Sequence, residues 1–198
     1  MIEFPDYERA TNAAYCVLRN YSYKFPEVDI GYILSTRPNI KIRTYSDAAK
    51  KLGVSHNEFT YYFASSEHGF TVADYDNDRF IMYYNDWKDE KTIRFTLAHE
   101  LGHTELNHKE DNAAADKEAN CFARNLLCPI QLVNGFKLSS PKEYEECFGI
   151  SSPMAKAAFN HRSADLYYIS RELYNEVDNN IHLYMTGYSL SEIYGVPM

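Results

Sequence analysis

The sequence predicts an α+β fold: a small, mostly antiparallel sheet, one buried helix carrying a HExxH motif, and a C-terminal part made of helices. Three observations predict it. The stretches "NIKIRTY", "GFTVAD" and "DRFIMYYND" carry the alternation or the β-branched and aromatic residues of strands. The stretch "RFTLAHELGHTELNH" is apolar on two opposite faces, the pattern of a helix held between layers. Beyond about residue 130 helical spacing takes over as far as "SPMAKAAFNHRSADLYYISRELY". Two parts are therefore expected, a core over residues 1–130 with N-terminal helices and a mainly helical subdomain over 131–198 packed on it.

In chain order, Tyr7, Ala10, Ala14, Val17, Leu18 and Tyr21 fall on one face of a helix over residues 5–22. A second helix is expected from Pro26, a residue suited to a first turn, with Val28, Ile30, Ile33 and Leu34 inward. "NIKIRTY" follows as a strand, then "SDAAKKLGVSHNEFTYYFA" as two short helices around Gly53. "GFTVAD" and "DRFIMYYND" form a hairpin across Tyr75–Asp78. Asp89 caps the HExxH helix, with Glu90 in its first turn. "AADKEANCFARNLLCP" is a helix with Ala115, Ala119, Phe122, Ala123 and Leu126 on one stripe, stopped by Pro129. "PKEYEECFG" and "SPMAKAAFNHRSADLYYISRELY" read as helices, and "NNIHLYMTGYSLSEIYGVPM" as a strand or a short helix.

Composition narrows the function classes. Of 198 residues 45% are hydrophobic, with 18 Tyr and 11 Phe, so the core is large and aromatic. A net charge of −8 argues against a broad phosphate-binding surface. No apolar run reaches the length of a membrane span, and "MIEFPDYERA" lacks the basic start and apolar stretch of a signal peptide. The four cysteines form no CxxC pair. Cys121 and Cys128, on one helix, stand about 10 Å apart along its axis, too far for a disulfide. Reduced thiols and a cytoplasmic location are expected.

The chemistry lies in residues 99–103. On a helix His99 and His103 are about 40° apart, one turn from each other, so both imidazoles can hold one zinc ion. Glu100 projects near the same edge and can take a proton from a water that the metal activates. A catalytic zinc needs a third protein ligand and an open fourth position. Glu118, at the edge of the inward stripe of the next helix, is expected to supply it. His108 is a weaker choice, because HExxHxxGxxH would need histidine where Lys109 stands. Gly102 beside the pair costs about 1 kcal/mol of helix propensity, a sign of close approach by a neighbouring element.

"RFTLAHELGH", "EANCFARNLLCP", "RFIMYYND" and "FGISSPMAKAAFNHR" together resemble the ImmA/IrrE family of metallo-endopeptidases, over roughly residues 25–165. The resemblance implies a zincin-like core, one zinc per chain on His99, His103 and Glu118, and Glu100 as catalytic base. It also implies a site-specific regulatory protease whose protein substrate is a helix-turn-helix repressor encoded in a prophage or mobile element. Cys128 departs from the methionine usual before that proline. Two other readings stand beside this one. A zinc-structured protein-binding module would keep His99, His103 and Glu118 without needing Glu100. A DNA-binding regulator would use "SDAAKKLGVSHNEFTYYF" as a helix-turn-helix, but its second helix carries Glu58 and no Arg or Lys, so direct nucleic-acid binding is not expected, nor is a membrane partner. That segment should instead pack on the sheet with Leu52, Phe59 and Phe63 buried. His161, Arg162, Tyr167 and Tyr168 are the candidates for a second oxyanion donor, and "RFIMYY" for the edge strand along which a substrate lies.

Overall fold

In the computed structural model, which describes residues 4–110, 112–189, 192 and 193, side-chain caps start most of the helices. The carboxylate of Asp6 accepts the N–H of Arg9 and opens α1 (Tyr7–Arg19). Asp29 does the same for Tyr32 at α2 (Ile30–Ser35), which puts that helix start four residues beyond the expected proline. Strand β1 (Ile40–Thr44) leads into α3 (Tyr45–Leu52), capped by Thr44 and closed by Gly53 at φ 70°, a left-handed position where a side chain would be strained. Ser55 and Glu58 form a capping box on α4 (His56–Tyr62). The hairpin of β2 (Gly69–Asp74) and β3 (Arg79–Tyr84) turns through Tyr75–Asn77. Asp89 then caps α5 (Glu90–Glu105) through the N–H of Thr92, as expected. Asn112 caps α6 (Ala113–Leu127) by accepting from Ala114 and Ala115. After Pro129 come α7 (Ile130–Gly135), α8 (Pro141–Phe148), α9 (Ser152–Tyr168) and α10 (Arg171–Thr186). The long C-terminal stretch breaks at Ile169 and Ser170, where Ser170 caps α10. Part of the tail expected as a strand or short helix is the last turns of α10, and residues 190, 191 and 194–198 lie outside the described residues.

The sheet has the order β1-β3-β2. β2 pairs antiparallel with β3, Gly69 opposite Tyr84, whereas β1 pairs parallel with β3, Ile40 opposite Phe80. The sheet is thus mixed rather than mostly antiparallel. The chain leaves β1 through α3 and α4 before it returns, and such a crossover can deliver a parallel neighbour where a tight turn cannot. It also places "RFIMYY", expected at an edge, in the middle.

One apolar cluster joins Ala14 and Leu18 of α1, Leu101 of α5, Phe122 and Leu126 of α6, and runs on to Ala155 of α9 and Val177 of α10. A smaller cluster of Tyr45, Ala48, Ala49 and Phe59 seats α3 and α4 on Phe70 and Tyr83 of the sheet. Leu52 and Phe63, expected inside, are each half exposed. Both sit at a helix end, Leu52 last in α3 and Phe63 just past α4, and Phe63 only stacks on the outside of Phe59. Among the described residues no helix is long and apolar enough to cross a membrane.

All four cysteines are unpaired. Burial pushes the thiols of Cys121 and Cys128 up, which suppresses the reactive thiolate, while Cys16 is exposed. Brief alkylation of the native protein should therefore modify Cys16 and spare Cys121 and Cys128 until denaturant is added. Mass spectrometry of the labelled peptides checks this, and fast native labelling of Cys128 would contradict the packing around α6.

Candidate metal centre

Helix α5 is anchored by Leu97, Ala98 and Leu101, all buried. Helix α6 returns antiparallel beside it, as the pairings of His99 with Asn120, Gly102 with Ala119, and His103 with Asp116 require. The contact is closest at Gly102. A Cβ there would lie 3.0 Å from Cδ1 of Phe122 and 3.2 Å from Cα of Ala119, so even a methyl group would require α6 to give by a few tenths of an ångström. The glycine that weakens α5 by propensity is what lets α6 approach.

Three donors converge beside that contact. Nε2 of His99 and Nε2 of His103 are 3.0 Å apart, and Oδ1 of Asp116 is 3.9 Å from the first and 3.6 Å from the second. Among the described residues these three side chains form the group able to hold a metal ion, with donor atoms within 4.8 Å of one another. Two ligands held about 2.0–2.1 Å from one zinc ion at a tetrahedral angle stand roughly 3.3 Å apart, a spacing that the three distances bracket. Two imidazole nitrogens facing each other beside a carboxylate make a place for positive charge, so the donor set fits zinc.

Glu100 is 8% exposed and lies between α5 and the sheet, where its Oε2 accepts the hydroxyl of Thr71 at 2.8 Å. Glu118 is placed differently from His99 and His103. Its Oε1 accepts the backbone N–H of Asp6 at 2.8 Å, and its Oε2 lies 3.0 Å from Nε2 of His108 and 3.6 Å from Nη1 of Arg9. His108 in turn stands behind His103, Nδ1 to Nδ1 at 3.0 Å. The carboxylate brought beside the imidazole pair is that of Asp116, which the sequence did not single out. On a helical wheel Glu118 and Asp116 flank the stripe of α6 on opposite sides, each roughly 80° from its centre, and the stripe does not say which edge meets α5. A preference for inward residues favours Glu118. A site open to substrate favours the exposed edge, and the Asp116 side chain is 52% exposed.

A cleft of about 830 Å³ lies over the group, lined by His99, Glu100, His103 and Asp116 and by every residue of β2. The edge strand beside the cleft is thus β2; "RFIMYY" is paired on both sides and reaches the cleft only through Arg79 and Phe80. His161, Arg162, Tyr167 and Tyr168 belong to α9 and none of them lines the cleft. Arg162 instead lies over the ring of Phe159 at 4.0 Å.

With known proteins the comparison is specific. The pattern of the IrrE N-terminal-like domain (Peptidase_M78) matches residues 61–160, a span from the end of α4 to the middle of α9 that contains the whole α5–α6 pair. No curated protein matches the sequence.

Proposed function

Since the chain belongs to the IrrE N-terminal-like family of metallopeptidases, we propose that it is a zinc-dependent endopeptidase with a zincin-like core. His99 and His103 hold one zinc ion per chain, Asp116 is the third protein ligand, and Glu100 is the catalytic base. The convergence of the two Nε2 atoms with a carboxylate oxygen, at the floor of a cleft that also holds Glu100, carries this reading. When bound, zinc supplies Lewis-acid polarisation of a carbonyl and lowers the pKa of a water molecule to about 7. Glu100, oriented by the Thr71 hydroxyl, takes the proton of the attacking water and returns it to the leaving amine. The edge of β2 that, among the described residues, no other strand covers can pair with an extended substrate segment and hold its scissile bond over the site.

Glu118 is the competing third ligand, favoured by its burial within the same hairpin. Metal analysis of Asp116→Ala and Glu118→Ala decides between them. Asp116→Ala is expected to lose most of its zinc, whereas full occupancy in that variant together with loss in Glu118→Ala would make Glu118 the ligand.

The substrate we propose is a helix-turn-helix repressor encoded in a prophage or mobile element, cut in the cytoplasm. A peptidase there must be selective or it damages its own cell. A net charge of −8 speeds encounter with a basic DNA-binding protein, an on-rate effect that salt weakens. Residues 131–198 act as a helical subdomain that buttresses the core of residues 1–130. Incubating the zinc-loaded enzyme with the neighbouring repressor and with casein tests the assignment. One cut in the repressor and poor digestion of casein are expected. Equal digestion of both would mark a general peptidase, and cleavage of neither would favour a zinc-structured binding module.

A further inference from the structure

We infer that Glu118 and His108 form a hydrogen-bonded line that fixes His103 in the tautomer able to bind metal, and that both are positioning residues. The inference rests on the zinc reading above. It starts from a difference in donor chemistry. An ionised carboxylate only accepts hydrogen bonds, whereas a neutral imidazole has one donor and one acceptor nitrogen. Glu118 accepts the N–H of Asp6 at Oε1 and faces the guanidinium of Arg9 at Oε2. Nε2 of His108, 3.0 Å from that Oε2, must therefore be its N–H. Nδ1 of His108 is then the acceptor, and its partner at 3.0 Å, Nδ1 of His103, must donate. That leaves the lone pair of His103 on Nε2, the atom turned toward His99 and Asp116. With His108 neutral each step follows from the one before, and the first cannot be reversed, because a carboxylate has no donor to offer.

The other imidazole lacks this certainty. Nδ1 of His99 meets Oδ1 of Asn120 at 3.0 Å, and an amide can be turned to offer either oxygen or nitrogen. The line behind His103 is anchored far off in sequence. The N-cap of α1 supplies the N–H of Asp6 and its first turn the guanidinium of Arg9, and Arg9 also donates to the carbonyl of Leu106, next to the segment that carries His108. A carboxylate behind a ligating histidine is a common way to orient it. Here a second histidine is interposed, and the carboxylate acts at one remove.

Glu118→Gln tests the line with little change of shape. The glutamine oxygen stays on the N–H of Asp6, so its NH₂ faces Nε2 of His108. That nitrogen must then accept, His108 Nδ1 must donate, and the proton of His103 moves to Nε2, against the metal. Nitrogen-15 NMR of the imidazoles in zinc-free protein should show His103 protonated on Nδ1 in the wild type and on Nε2 in Glu118→Gln. Competition with a chelator should show zinc affinity lowered about 10- to 100-fold in Glu118→Gln and in His108→Phe, and no further in the double variant. An unchanged His103 tautomer in Glu118→Gln overturns the inference. So does wild-type zinc affinity in His108→Phe, which would also return Glu118 to the rank of possible ligand. A wild type that binds no zinc would sink the zinc reading instead, and the NMR comparison would still decide the line.

Discussion

Glu100→Gln loses peptide hydrolysis by about 10²- to 10⁴-fold, the range for removal of a general base, while keeping its fold and its zinc. The replacement has nearly the shape of the original. The hydroxyl of Thr71, which donates to Oε2 of Glu100 at 2.8 Å, can donate to the amide oxygen instead, so the side chain keeps its place between α5 and β2. What is lost is the capacity to take a proton from the attacking water. The measurement is kcat/KM on a cleavable segment of the proposed repressor substrate, with metal content and circular dichroism on the same samples. Activity within tenfold of wild type would remove Glu100 from the chemistry. Loss of zinc or of folding would mean that the residue is structural, as a binding module would have it.

Asp165→Ala is expected to destabilise the protein by about 3–5 kcal/mol, the cost of leaving a largely buried charge without its partner. Arg124 of α6 donates through Nε and Nη2 to the two oxygens of Asp165 at 2.8 and 2.6 Å, and the two side chains are 12% and 8% exposed. The pair ties α9 to the helix that carries Asp116 and Glu118. Once Asp165 is gone, Arg124 retains only the sulfur of Cys121, 3.3 Å from Nη2. Urea unfolding of the zinc-free protein reads the effect directly. A loss under 1 kcal/mol would show that water reaches Arg124 easily. The double change Arg124→Met with Asp165→Leu should recover most of the loss, because an apolar pair of similar volume carries no desolvation cost.

Much of this was legible in local sequence, because local rules govern it. Asp89 caps the helix whose start it marks, and Gly53 closes α3 at the left-handed position that only glycine takes freely. The HExxH helix is buried between layers as its two apolar faces require. What was not legible depends on which distant segment lies alongside. The parallel pairing of β1 with β3 joins strands some forty residues apart, and nothing in "RFIMYY" tells a central strand from an edge. Asp116 and Glu118 differ in surroundings because α1 reaches one side of α6 and α5 the other. That arrangement is visible only once three helices are in place. Leu52 and Phe63 failed for a related reason, since apolar character predicts burial only where a neighbouring surface arrives.

The cleft-side edge of β2 has a further consequence. A row of backbone N–H and C=O groups open on one side accepts any extended chain, including the same strand of another copy. A peptidase that reads its substrate by strand pairing cannot cover or bulge that edge without closing its own site. Its defence against aggregation has to be electrostatic. The end of the strand carries Asp74, ion-paired with Arg79, and the net charge of −8 repels like copies at a distance. High salt or neutralised acidic residues should then favour self-association through β2, in competition with substrate for the same hydrogen bonds.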